Sequence, residues 1–97
     1  MKSILITFDQ AHYENIVTIL DRQNIRGFTY FDRIQGRGTT DGEPHFGSHA
    51  WPSLNSAIVT IVEDNKVDPL LNILHKLDKS KEQLGLRAFV WSIEKTI

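Results

Sequence analysis

Residues 56–77, SAIVTIVEDNKVDPLLNILHKL, carry the clearest structural signal in the chain. The first eight, SAIVTIVE, are rich in β-branched and apolar side chains, which is typical of a strand. Asn65 offers an N-cap, and Pro69 lies early enough in a helix to be tolerated there. Apolar side chains then recur at helical spacing, at Val67, Leu70, Leu71, Leu74 and Leu77. The stretch therefore predicts a strand followed by an amphipathic helix.

The flanking sequence completes this unit and repeats it on the N-terminal side. Gly85 stops the helix, and residues 86–93, LRAFVWSI, predict the last strand. In the first half, residues 2–8 (KSILITF) predict a strand, residues 13–20 an amphipathic helix and residues 27–34 (GFTYFDRI) a second strand. Strand–helix–strand occurs twice, which gives the order βαββαβ. We therefore predict an α+β, ferredoxin-like fold with a four-stranded antiparallel sheet and two helices on one face.

Length and composition predict a single domain over residues 1–97. The formal charge of −1 argues against a protein that binds nucleic acid through a broad positive field. The absence of cysteine excludes disulfides, thiolate metal sites and thiol nucleophiles. No apolar run approaches the roughly 20 residues that cross a bilayer, and the first residues lack a signal-peptide pattern. We expect a cytoplasmic protein that is not embedded in a membrane.

Aromatic side chains occur on both faces of the second and fourth predicted strands. If two helices cover one face, Phe89, Trp91 and an aromatic of the second strand lie on the other, as an apolar patch too large for a monomer. We expect a homo-oligomer that buries this patch, with Tyr30, Phe89 and Trp91 in its interface. A surface on which RNA bases stack is the alternative, but the last strand lacks the basic-aromatic pattern of such sheets.

Residues 35–54, QGRGTTDGEPHFGSHAWPSL, form a long segment without helical or strand periodicity. They hold four of the six glycines and two of the three prolines, and a loop of this length in a small domain is usually functional or disordered. Gly36, Arg37 and Gly38 combine accessible backbone amides with a cation, which suits an anionic effector. A flexible linker between two strands explains the composition equally well.

Two histidines of this segment suggest metal or acid–base chemistry. His45 and His49 follow Asp41 and Glu43, and these side chains would suit zinc, nickel or copper(II). Binding of a divalent heavy metal through His45 and His49 is thus one alternative function. A small enzyme with His49 as general base is another. The hydrolase motifs are absent, so we expect no enzymatic activity.

The order of elements and two stretches around the long segment resemble the PII signalling superfamily. The stretches are GFTYFDRIQGRGT at 27–39 and HFGSHAWPSLNSA at 45–57, and they are most similar to small PII-like proteins associated with heavy-metal efflux transporters. In this family the insertion between strands 2 and 3 is the mobile T-loop, which corresponds here to residues 35–54.

The resemblance implies a signal-transducing homotrimer whose sheets face the centre. It further implies that a small effector binds in clefts between subunits, near Gly36, Arg37 and Gly38. The T-loop would then engage or release a partner, such as a membrane transporter. Residues 79–85, KSKEQLG, hold one glycine where nucleotide-binding members carry a glycine-rich turn. We therefore expect a metal or another small molecule as effector rather than a nucleotide.

Overall fold

The computed structural model describes residues 1–35, 55–80 and 85–97. Within these ranges the chain forms four strands, two α-helices and two short 3₁₀ turns. The order is β1 (Lys2–Asp9), a 3₁₀ turn (Gln10–His12), α1 (Tyr13–Arg22), β2 (Thr29–Ile34), β3 (Asn55–Val62), a 3₁₀ turn (Asp64–Lys66), α2 (Val67–Ser80) and β4 (Arg87–Ser92). This is the predicted order βαββαβ. Asn65 is not an N-cap, because it lies within the second 3₁₀ turn.

The four strands form one antiparallel sheet in the order β2-β3-β1-β4. The central strand β1 pairs over its whole length with β3 and, from Lys2 to Thr7, with β4. Strand β2 pairs with β3, and its register shifts by one residue between Phe31 and Ile34, as a β-bulge does. Because every pairing is antiparallel, β1 and β2 run in one direction and β3 and β4 in the other. The ferredoxin-like prediction is confirmed.

One face of the sheet packs against both helices. Fully or almost fully buried side chains of β1, β3, α1 and α2 form the core: Ile4, Ile6, Phe8, Ile16, Leu20, Ile58, Leu70 and Leu74. These residues alternate along the strands and recur every three or four positions in the helices, as burial of one side of each element requires. Each such side chain stabilises the fold by about 1.5–3 kcal/mol. We call this side of the sheet the helix face and the other the open face.

A compact turn ends α1 and directs the chain towards β2. The Ile25 amide donates to the Leu20 carbonyl at 2.9 Å, and the Asn24 amide donates to the Asp21 carbonyl at 3.0 Å. This pair of bonds is a Schellman motif, in which the residue at Asn24 takes a left-handed conformation, here with φ of 58°. Ile25 is buried in the same core cluster as Leu20, which adds the hydrophobic contact typical of the motif. The helix therefore ends before Gly27, near the predicted position.

The strand directions bring distant parts of the chain to the same end of the sheet. At one end lie Asp9, Ile34, Asn55 and Arg87, the last residues of β1 and β2 and the first of β3 and β4. We call it the loop edge, because residues 36–54 follow β2 there. The opposite end holds the first residue of β1 and the last of β4.

Candidate functional site

The open face of the sheet carries large apolar side chains that no described helix covers. Phe31, Ile61, Phe89 and Trp91 each remain 47–54% exposed, whereas the core residues on the helix face are almost completely buried. The expectation that Phe89 and Trp91 lie away from the helices is confirmed by this geometry. Their role in an oligomer interface stays a prediction.

The strand register shows that these side chains form a continuous surface. Leu5 lies opposite both Phe89 and Val59, and Val59 lies opposite Thr29, so one row crosses all four strands. In the next row, towards the start of β1 and the end of β4, Ser3 lies between Trp91 and Ile61. Directly opposite residues share a face and lie close together in an antiparallel sheet. The open face is therefore one apolar patch and not a set of isolated residues.

Tyr30 does not share the open face with Phe89 and Trp91, and its role in an oligomer interface stays a prediction. It pairs with Ile58, a buried residue of the helix face, and its ring contacts the Tyr13 ring of α1 with centroids 4.2 Å apart. The aromatic residue of β2 on the open face is Phe31, which pairs with Ala57. The alternation of side chains in 27–34 separates Tyr30 from Phe31 correctly. It does not show which of the two faces the helices cover.

A polar network occupies the loop edge where β2 ends. One Asp32 carboxylate oxygen accepts hydrogen bonds from the Tyr30 hydroxyl at 2.9 Å and from the side-chain amide of Gln10 at 3.2 Å. The Ser56 hydroxyl donates to the Asp32 backbone carbonyl. These bonds tie the turn after β1 to β2 and β3. They fix the position of the chain directly before residues 36–54.

Burial and the neighbouring carboxylate raise the pKa of Tyr30 above its ordinary value. Burial is the largest cause, and the hydrogen bond to Asp32 and its negative charge act in the same direction. The hydrogen bond to Ser56 opposes them. Tyr30 is therefore a neutral hydrogen-bond donor at physiological pH and a structural part of the loop edge. Sequence analysis did not find this network, although the Tyr30–Asp32 spacing places both side chains on one side of a strand.

A groove lies beside β4, between this edge strand and α2. It has a volume of about 490 Å³ and is lined by leucine side chains together with His75, Asp78 and Arg87. The Arg87 guanidinium lies 3.7 Å from the Asp78 carboxylate and donates to the Leu86 carbonyl at 2.7 Å. A second groove, of about 500 Å³, lies at the opposite end of the sheet and includes Met1, Gly27 and Lys66.

The predicted effector and metal residues lie in the part of the chain that the structure does not describe. Gly36, Arg37, Gly38, His45 and His49 all fall within residues 36–54. Within residues 1–35, 55–80 and 85–97, no group of three or more histidine, aspartate and glutamate side chains is arranged to hold a metal ion. In the same ranges, no helix is both long and apolar enough to cross a membrane.

Comparison with protein families identifies the class of protein. The family model for nitrogen regulatory protein P-II matches residues 1–97, and the chain therefore belongs to the PII family. The predicted superfamily is thus confirmed, whereas the narrower similarity to proteins of heavy-metal efflux systems stays a prediction. No curated protein matches the sequence.

Solved structures share the fold at low sequence identity. CPII from Thiomonas intermedia K12, a nitrogen regulatory PII-like protein, in complex with ADP, AMP and bicarbonate has a TM-score of 0.76 and 23% identity, covering 93% of this chain and 82% of that chain. Its apo form has a TM-score of 0.73 and 21% identity, with coverage of 93% and 85%. A putative PII-like signalling protein from Thermus thermophilus has a TM-score of 0.65 and 20% identity, with coverage of 93% and 83%.

Proposed function

We propose that this protein is a PII-like homotrimeric regulator that binds a small effector in clefts between its subunits. Residues 35–54 then report the occupancy of these clefts to another protein. The observation that carries the proposal is the family match over residues 1–97 in a chain whose open face is a continuous apolar patch. A patch of this kind is typical of an interface, and three copies packed by their open faces would bury it.

We propose an adenine nucleotide as the effector, with bicarbonate as a second ligand. The support is that CPII, which shares the fold, forms a complex with ADP, AMP and bicarbonate. An adenine nucleotide is thus preferred for the effector that the sequence left unidentified, although residues 79–85 hold a single glycine, which had argued against a nucleotide. Glycine supplies backbone freedom, but the charge that holds a phosphate comes from cations and amides.

Gly36, Arg37 and Gly38 are the residues that we assign to the effector. Successive backbone amides bind anions when they point into one concave turn, and a guanidinium binds phosphate through two parallel hydrogen bonds. The polar network of Asp32 fixes the chain four residues before Gly36. This anchor would let a ligand at Arg37 act on the segment that follows without moving β2.

The regulated partner is the least defined part of the proposal. The resemblance to proteins of efflux systems supports a membrane transporter as that partner. Regulation requires that the effector bind one conformation of residues 35–54 more tightly than another, because a ligand with equal affinity for both shifts nothing.

A thermal-shift series on the purified protein tests the proposal. We expect ADP or AMP to raise the melting temperature by several degrees, since a ligand at about 100 times its dissociation constant stabilises by about 2.7 kcal/mol. Arg37→Ala should reduce this shift by more than half. Arg22→Ala, which removes an exposed arginine at the end of α1, is the matched control and should leave the shift unchanged.

The same series separates the alternatives. A shift with zinc, copper or nickel that His45→Ala combined with His49→Ala abolishes, in the absence of any nucleotide response, would contradict the nucleotide proposal and favour the metal site. Turnover of a substrate with a pH dependence near 6.5 that His49→Ala removes would favour the small enzyme. Equal ADP shifts in wild type and Arg37→Ala would overturn the assignment of Arg37.

A further inference from the structure

The groove between α2 and β4 joins an apolar floor to two opposite charges. Its volume of about 490 Å³ falls within the range of small-molecule sites, which is about 300–1,000 Å³. The apolar side chains that line it are Leu71, Leu74, Leu86 and Ala88. The Asp78 carboxylate and the Arg87 guanidinium line the same groove. A few polar groups beside an apolar surface are the usual composition of a site that binds a small molecule.

The strand register places this groove on the helix face of the sheet. Ala88 lies opposite Ile6, a buried core residue, so its side chain points to the same side as the helices. Leu86 belongs to the same core cluster. Phe89 and Trp91, in contrast, lie on the open face, where they remain exposed. A ligand in the groove therefore leaves the open face available for the proposed interface.

The ion pair between Asp78 and Arg87 leaves both charged groups with unused hydrogen-bonding capacity. Their closest atoms are 3.7 Å apart, whereas a charge-assisted hydrogen bond measures about 2.7–2.9 Å. A guanidinium has five N–H donors. The hydrogen bond to the Leu86 carbonyl at 2.7 Å uses only one of its two terminal nitrogens. The side chains of Asp78 and Arg87 are 28% and 37% exposed, so a ligand in the groove can reach both.

Two opposite charges this close favour a ligand that carries both charges itself. A simple anion at Arg87 would place its charge beside the Asp78 carboxylate, and a simple cation at Asp78 would meet the guanidinium. Like charges brought together in this way weaken binding. An α-amino acid avoids both conflicts, because its carboxylate and its ammonium group are attached to one carbon. The carboxylate accepts two parallel hydrogen bonds from Arg87 while the ammonium donates to Asp78.

The apolar part of the groove selects the side chain of such an amino acid. Leu71 is half-buried and lies on α2 within reach of the same cavity as Asp78. An aliphatic or aromatic side chain packed there removes its own surface and that of Leu71 from water, which is favourable. Asn72 and His75 complete the lining among the described residues. A polar ligand side chain would gain less from the leucine floor.

We propose that the groove between α2 and β4 binds an α-amino acid with an apolar side chain, held at its two charges by Arg87 and Asp78. This inference goes beyond the proposed function, because it adds a second ligand site on residues other than Gly36, Arg37 and Gly38. It depends neither on the binding of ADP nor on the homotrimer.

Isothermal titration calorimetry with L-leucine as the probe tests the site on the full-length protein. Two analogues of L-leucine each lack one charge: 4-methylpentanoate has no ammonium group, and 3-methylbutylamine has no carboxylate. We expect L-leucine to bind saturably and at least about tenfold more tightly than either analogue, because each analogue loses its hydrogen bonds to one charged side chain.

Substitutions at the two charges locate the site. Arg87→Ala should weaken the binding of L-leucine at least about tenfold, and Arg87→Lys should restore part of it, because the charge returns without the planar guanidinium. Asp78→Asn should reduce the preference for L-leucine over 4-methylpentanoate to less than about twofold, since the ammonium loses its partner and the analogue loses a repulsion. Asp68→Asn removes an exposed carboxylate in the first turn of α2 and is the matched control, which should keep the wild-type preference.

The possible results separate this inference from the proposed function. Equal affinity of the wild type for L-leucine and 4-methylpentanoate would overturn the zwitterion, and this comparison decides even if a variant does not fold. An unchanged affinity for L-leucine in folded Arg87→Ala would place the amino acid outside this groove. No saturable binding of L-leucine up to about 10 mM would overturn the inference as a whole. Failure of ADP to bind would contradict the proposed effector and leave the groove as a site for the amino acid.

Discussion

Replacement of Trp91 by glutamate should dissociate the protein while leaving the fold of each copy intact. Trp91 is 47% exposed and lies outside the core cluster, on the open face beside Ser3. Tryptophan buries up to about 250 Å². Complete burial of the remaining part therefore removes about 120 Å² from water, which at about 25 cal/mol per Å² is about 3 kcal/mol per subunit. This corresponds to about a hundredfold in the association constant for each subunit.

Glutamate also places a charge in an apolar interface, which adds a desolvation penalty in the same direction. Multi-angle light scattering over a range of concentrations measures the mass, and far-ultraviolet circular dichroism monitors the fold. Thr18→Glu is the matched control, because it adds the same charge at an exposed position of α1 and should not change the mass. A folded Trp91→Glu protein with the mass and concentration dependence of wild type would refute the placement of Trp91 in an interface.

Three further predictions concern the stability of the described fold, measured by urea unfolding. Asn24→Val should lower the free energy of unfolding by about 1–2 kcal/mol because φ at this position is 58°, whereas Asn24→Gly should leave it equal or higher; equal stability of both variants would contradict the Schellman assignment. Leu74→Ala, at a residue 1% exposed in the core, should cost about 2–5 kcal/mol, whereas a loss below about 1 kcal/mol would place Leu74 outside the core. Tyr30 has a raised pKa, so the folded protein keeps the phenolic proton to higher pH than the unfolded chain does. The free energy of unfolding should therefore fall as pH rises from the ordinary pKa of 10.0 through the pKa of the folded protein. Tyr30→Phe should abolish this loss of stability at alkaline pH. If the variant lost as much stability as the wild type over the same pH range, the raised pKa of Tyr30 would be contradicted.

The periodicity of apolar side chains was sufficient to predict the fold. The run of β-branched and apolar residues in SAIVTIVE indicates a strand, and the helical spacing of Leu70 and Leu74 indicates burial of one side of a helix; two such units leave few arrangements of four strands. Phe89 and Trp91 were placed correctly because two helices cover only one face. Tyr30 lies on the opposite face from them, and its place in an oligomer interface stays a prediction. The alternation within β2 is equally apolar on both faces, and only the pairing of Tyr30 with Ile58 decides between them.

The polar network of the loop edge lies beyond what sequence patterns report. Asp32 meets Gln10 across 22 residues and Ser56 across 24. No periodicity links residues on three different elements, because their contact depends on the order of strands in the sheet. The β-bulge between Phe31 and Ile34 has the same origin, since it is a property of two paired strands. The assignments of Gly36, Arg37, Gly38, His45 and His49 stay predictions.

Calorimetric titration of ADP into the wild-type protein and into monomeric Trp91→Glu tests the central claim most directly. A site in a cleft between copies needs both of its walls, and Trp91 lies on the open face rather than among the residues assigned to the effector. The account predicts saturable binding of one ADP per chain to the wild type and a loss of affinity of at least about 100-fold in the folded monomer. Equal affinity in both proteins would contradict a site between subunits, and the absence of binding to the assembled wild type would contradict ADP as the effector.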